Sequence, residues 1–125
     1  MILDSSAIVA VARDEPEAAH FVRLIESSPS VALSAGTWLE TAIVLGAAGE
    51  VLLDELANGE VEVLPFDEAQ ARIAWRAYRR FGRGSGSAAQ LNLGDCFSYA
   101  LSAQTRRPLL FKGDDFPHTD VEPAA

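Results

Sequence analysis

With one cysteine, two histidines and no apolar run near the length of a bilayer span, this 125-residue chain has several functions closed to it. A single thiol, Cys96, excludes an internal disulfide framework and a thiolate zinc site, so a reducing cytosol is the expected compartment. Neither His20 nor His118 has a His or Cys partner at metal-ligand spacing. Spanning a bilayer takes roughly 20 apolar residues, which no segment supplies. The first residues run directly into a strand-like segment, leaving no place for the basic, apolar and cleavage regions of a secretory signal. Basic residues number 10 against 18 acidic ones, for a net charge of -8. That balance argues against broad attraction to nucleic acid, although cations bound in an acidic cleft would invert the local field.

What remains is ordinary globular composition, 49% hydrophobic and 22% charged, at a length suited to one domain over 1–125. Met1 to Asp4 reads as a short strand, with Ser5 and Ser6 as caps for a helix through Ala12. Asp14-Glu15-Pro16-Glu17 then starts a second helix to about Glu26, striped by Ala18, Phe21, Val22 and Ile25. Val31–Ser34 reads as a strand, followed by a helix from Ala35 to Ala48 and a shorter one from Glu50 to Ala57. Val61–Leu64 makes a third strand, and Asp67 caps a helix to Arg80 in which Ile73, Trp75 and Tyr78 are packing groups, as is Trp38 earlier. Arg72, Arg76, Arg79, Arg80 and Arg83 recur at helical spacing, fitting either a solvated face or a basic footprint. Gly82, Gly84, Ser85, Gly86 and Ser87 favour a mobile loop, which lacks the Gly-Lys-Ser/Thr ending of a phosphate-binding loop. A helix from Gly94 or Asp95 to Thr105 leads to the strand Leu109–Phe111, and Val121 opens a last edge strand. Strands separated by helices imply a three-layer α/β/α sandwich on a mainly parallel sheet of four to five strands.

Against this pattern stand acids at the edges of apolar segments: Asp4, Glu40, Asp95 and the pair Asp114/Asp115. Parallel sheets bind ligands outside the carboxyl ends of their strands, where Asp4 and Asp114/Asp115 fall; Asp95 lies at a helix start and Glu40 about one turn into a helix. All can meet in one crevice. Each taken alone fits a local cap or turn; together they suit a hard cation bound by oxygen, Mg²⁺ or Mn²⁺. Cys96, in Cys96-Phe97-Ser98-Tyr99-Ala100, reads as a small buried helix residue rather than a nucleophile.

The blocks Ile2-Leu3-Asp4-Ser5-Ser6-Ala7, Glu40 in its helix, Leu91-Asn92-Leu93-Gly94-Asp95-Cys96-Phe97-Ser98-Tyr99, and Gly113-Asp114-Asp115-Phe116 resemble the signature blocks of PIN-domain ribonucleases. The chain is most similar there to the VapC-type toxins of bacterial toxin-antitoxin pairs. The resemblance implies a PIN-like fold and a metal-dependent endoribonuclease cutting transfer, ribosomal or messenger RNA. It implies that Asp4, Glu40 and Asp95 hold Mg²⁺ or Mn²⁺, with Glu40 steadying an activated water or serving as its base. Relatives often end Asp-x-Asp-Phe; aligned on Phe116, Asp115 takes the second acid and Gly113 stands where the first would be, leaving Asp114 as a substitute. Ser5, Ser6 and Thr37 either orient the carboxylates from behind or cap helices, and the two roles are compatible. Implied partners are RNA, a VapB-like antitoxin whose arginine enters the acidic crevice, and a second copy of the chain, in a heterotetramer or larger with antitoxin. Val11, Phe21 and Ile43 belong either to partner surfaces or to the core. The reading of another class is a catalytically silent PIN-like module acting through its protein or RNA partner.

Overall fold

A computed structural model describes residues 1–125, and its architecture follows from four short strands that alternate their side chains between two helical layers. The strands are β1 (Ile2–Leu3), β2 (Ala32–Ser34), β3 (Glu62–Leu64) and β4 (Leu109–Leu110), all parallel, in the order β3-β2-β1-β4. Registers pair Ile2 with Ala32 and with Leu109, and Leu3 with Leu110. Because successive residues of a strand face opposite sides, Ile2, Ala32 and Leu109 enter one core while Leu3, Leu33 and Leu110 enter the other. Fully burying each of the isoleucine and leucine side chains contributes about 2 kcal/mol.

The helices are α1 (Ser5–Ala12), α2 (Ala18–Ser27), α3 (Ala35–Leu45), α4 (Ala47–Asn58), α5 (Glu68–Phe81) and α6 (Leu93–Thr105). Phe21 and Leu53, from α2 and α4, close the core around Leu3; Ala74, Ala77, Ala100 and Leu101, from α5 and α6, close the one around Ile2. The sheet is thus sandwiched as the alternation of elements implies. No helix is long and apolar enough to cross a membrane.

Several local expectations are corrected. Ser5 and Ser6 do not cap α1: Asp4 does, its Oδ2 accepting from the Ser6 backbone N–H at 3.1 Å. Helix α2 starts at Ala18 rather than at the Asp14 turn. Helix α3 stops at Leu45, because Gly46 adopts φ 67°, and α4 begins at once at Ala47. Asp95 lies inside the first turn of α6, whose cap is Asn92. The segment at Val121 adds no strand, only a bridge between Leu109 and Pro123. The Gly/Ser loop is tied at its neck, with Leu91 N–H donating to Phe81 O at 2.9 Å and Arg83 N–H to Leu91 O at 3.0 Å, over a fully buried Ala89. Trp75 is 61% exposed and not a packing group, whereas Ile73 and Tyr78 pack against one core and Trp38 against the other.

Candidate active site

The acidic crevice is built at the carboxyl end of the central strands. Asp4 follows β1 directly and is tied to the sheet by its backbone N–H, which donates to Leu110 O at 2.9 Å. Its side chain is buried and held from three directions. Ser6 Oγ–H donates to Oδ2 at 2.6 Å, the Ser6 N–H donates to the same oxygen, and Ser98 Oγ–H donates to Oδ1 at 2.5 Å. Burial raises the Asp4 carboxyl above the ordinary carboxylate range, and the hydroxyl donors of Ser6 and Ser98 oppose that rise.

Asp95 serves as the third residue of α6 in a capping box. Asn92 Oδ1 accepts from the Asp95 N–H at 2.9 Å, and Asp95 Oδ2 accepts from the Asn92 N–H at 3.0 Å. Burial pushes its carboxyl up to about 6, the Asn92 N–H works against that shift, and the charges of Asp4, Asp115 and Glu40 add to it. Asp4, Glu40 and Asp115 therefore lie close enough to Asp95 for their charges to act on it. Asp114 is exposed and absent from the set, while Asp115 is half-buried at the start of the turn Phe116–His118.

Glu40 reaches the crevice from α3 and lies against the first turn of α6, where a Cβ on Gly94 would collide with its carboxylate. Its Oε1 is buried with no hydrogen-bond partner. Burial raises this carboxyl as well, the nearby Ser5 hydroxyl lowers it, and the Asp4 charge raises it further. An unpaired buried carboxylate oxygen is costly and demands a proton or a cation. The acids converge without closing a cage: no group of three or more His, Cys, Asp or Glu side chains forms a ready-made metal site. A wholly oxygen donor set with one buried oxygen unsatisfied nevertheless fits a hard divalent cation, which Asp4, Glu40, Asp95 and Asp115 could hold.

Ser6 joins two parts of the crevice, because its hydroxyl donates to Asp4 while accepting the Lys112 N–H at 3.0 Å. Lys112 Nζ ion-pairs with Glu15 and Glu17, each at 3.0 Å, so the loop that carries Asp115 is anchored at both backbone and side chain. Thr37 is fully buried and touches Ser98, its Oγ1 lying 3.1 Å from Ser98 Oγ. Ser98 itself escaped the sequence reading; its position three residues after Asp95, one helical turn on and facing the same way, is the signal that could have found it. Cys96 is buried, and burial with the neighbouring Asp95 charge pushes its thiol up to about 11, so it has no thiolate to offer at neutral pH.

The sequence pattern of the PIN domain family matches residues 1–122. The chain belongs to that family. Among PIN-domain relatives, Ribonuclease VapC28 of Mycobacterium tuberculosis is 48% identical over 99% of this chain and 97% of its own length. VapC ribonuclease Mb0640 of Mycobacterium bovis is 41% identical over 100% of this chain and 98% of its own. Membership therefore extends to the VapC ribonucleases at full length. In solved structures the fold is similar to VapC20 of Mycobacterium tuberculosis, described as a sarcin-ricin loop cleaving toxin, with a TM-score of 0.76 at 19% identity over 98% of each chain. It also resembles a toxin-antitoxin complex from Klebsiella pneumoniae, with a TM-score of 0.69 at 16% identity over 92% of this chain and 88% of that one.

Proposed function

We propose that this chain is a divalent-cation-dependent endoribonuclease, the toxin of a toxin-antitoxin pair, hydrolysing RNA phosphodiester bonds at Asp4, Glu40, Asp95 and Asp115. The observation that carries the reading is the convergence of these four acids, with Glu40 Oε1 buried and unpaired, in a chain related at full length to proteins named VapC ribonucleases. Mg²⁺ or Mn²⁺ held there supplies positive charge to polarise the attacking water and to stabilise the phosphoryl oxygens. Asp4 and Asp95 would be its principal ligands, oriented by Ser6, Ser98 and the Asn92 N–H. Glu40 Oε1, free of other partners, takes the proton from the attacking water as it bonds to phosphorus, and the leaving ribose oxygen is protonated from solvent. Asp115 completes the negative field.

Two partners follow. An antitoxin is favoured by the groove of about 420 Å³ between α2 and α4, whose apolar floor of Val11, Val22, Ile25, Leu52 and Leu56 is accompanied by Glu26, Glu55 and Glu60, which suits an amphipathic helix. Its arginine would satisfy the carboxylates in the absence of metal. A second copy of this chain is favoured by Leu39, Ile43, Val44, Trp75 and Leu93, all exposed around α3, α5 and the start of α6. Phe21, by contrast, is core.

The test is cleavage of total cellular RNA by the purified, antitoxin-free protein with Mg²⁺ or Mn²⁺ and with EDTA, beside Asp4→Asn. Discrete cuts that vanish with EDTA and with the variant are expected; no cuts under either metal would leave the chain as a binding module.

A further inference from the structure

Asp4 is the most deeply buried of the four acids, and no basic side chain hydrogen-bonds or ion-pairs with it. Its orientation depends on hydroxyls. One face is covered by Ser6, two residues away in the chain; the other is covered by Ser98, 94 residues away on α6. The single proton of Ser98 Oγ is directed at Asp4 Oδ1, so in the 3.1 Å contact between Ser98 and Thr37 it is Thr37 that donates. The result is a one-way chain, Thr37 O–H to Ser98 Oγ and Ser98 O–H to Asp4 Oδ1, with Thr37 and Ser98 both fully buried. No other hydrogen bond competes for the Ser98 hydroxyl. Thr37 is fixed on α3, one turn before Glu40 and beneath Thr41, whose hydroxyl donates to Thr37 O at 2.8 Å.

We propose that Ser98 is a positioning residue for the reaction, with Thr37 acting through it, and that the pair locks the Asp4 carboxylate in the orientation that binds the divalent cation. The inference rests on the endoribonuclease reading. A chain of hydroxyls polarised toward one carboxylate oxygen strengthens each link, and burial excludes water that could replace a lost one. It also couples the β1–α1 junction, α3 and α6 at one atom, the Ser98 Oγ, and so ties Asp4 to the helix that carries Asp95.

The experiment uses the full chain, measuring Mn²⁺ affinity by titration calorimetry, kcat and KM on an RNA it cleaves, and the melting curve. Removing a partner behind a metal ligand costs about tenfold in affinity, and Ser98→Ala is expected to show that loss, a matching fall in kcat, an unchanged KM and a retained cooperative melt. Thr37→Val, which keeps the side-chain shape, is expected to act in the same direction by about threefold, and to add nothing on top of Ser98→Ala. The proposal is overturned if Ser98→Ala binds Mn²⁺ and turns over within about twofold of wild type, or if Thr37→Val costs as much with Ser98 absent as with it present. A wild type that cuts RNA, beside an inert Asp4→Asn, keeps the function standing when the positioning role fails. A wild type that neither binds Mn²⁺ nor cuts removes both.

Discussion

Glu40 and Gly94 fit one another: the Glu40 carboxylate fills the space a Cβ at position 94 would require, placing it against the first turn of α6 beside Asp95. The amino end of a helix favours negative charge, so the close approach that Gly94 permits also places Glu40 in a favourable field. Gly94→Ala is expected to displace Glu40 and lower kcat by at least about tenfold, since misplacing a reacting group by about 1 Å can cost up to about a hundredfold. The melting curve should remain cooperative, because alanine is the better helix former. Normal turnover by Gly94→Ala would show that Glu40 has no role in the chemistry.

The pH response follows from Asp95. Its carboxyl is lifted from about 3.8 to about 6 by burial, so the folded protein binds this proton more tightly than the unfolded chain does. Metal-free stability from this group is therefore full below pH 4 and is lost as pH rises toward 6; Asp4 and Glu40, raised by the same cause, act in the same direction. Asp95→Asn retains a side-chain oxygen for the Asn92 N–H, and in thermal melts without metal its advantage over wild type should grow between about pH 4 and 6. Mn²⁺ at neutral pH should raise the wild-type melting temperature and leave that of Asp95→Asn nearly unchanged.

Asp115 and Asp114 should separate cleanly. Asp115 acts on Asp95 across the crevice while Asp114 points to solvent, so Asp115→Asn is expected to reduce cleavage about tenfold or more and Asp114→Asn to leave it near wild type. Initial rates on one RNA substrate decide it. The reverse ranking would mean that the loop rearranges to present Asp114.

Self-association should depend on the apolar surface around α3. Ile43 is 73% exposed, so wild type is expected to sediment as a dimer through this face and Ile43→Asp to fold normally yet sediment as a monomer at the same concentration. Equal sedimentation of the two proteins would rule this face out.

The sequence made the layers legible because the strands are short and mostly apolar and the first three are each followed by a helix, so the crossovers could run only one way round the sheet. It made Asp4, Glu40 and Asp95 legible because a charge beside buried side chains needs a reason. It concealed Ser98, whose hydroxyl looks like any small buried residue until the fold brings Asp4 to 2.5 Å. The break between α3 and α4 was legible but placed about three residues late, because the φ of 67° that ends α3 falls on Gly46 and nothing in the sequence separates it from Gly49. Trp75 misled because it lies one turn before Tyr78, which packs, yet it stands 61% exposed at an apolar cleft that it lines with Phe66, Ala71, Leu93 and Phe97.

The most direct measurement is the chemistry of the new RNA ends after cleavage in ¹⁸O-labelled water with Mn²⁺. Attack by a water activated among Asp4, Glu40 and Asp95 places one ¹⁸O in the terminal phosphate and forms no cyclic phosphate. Ends bearing a 2′,3′-cyclic phosphate would mean that the ribose hydroxyl is the nucleophile, contradicting hydrolysis by the acidic crevice.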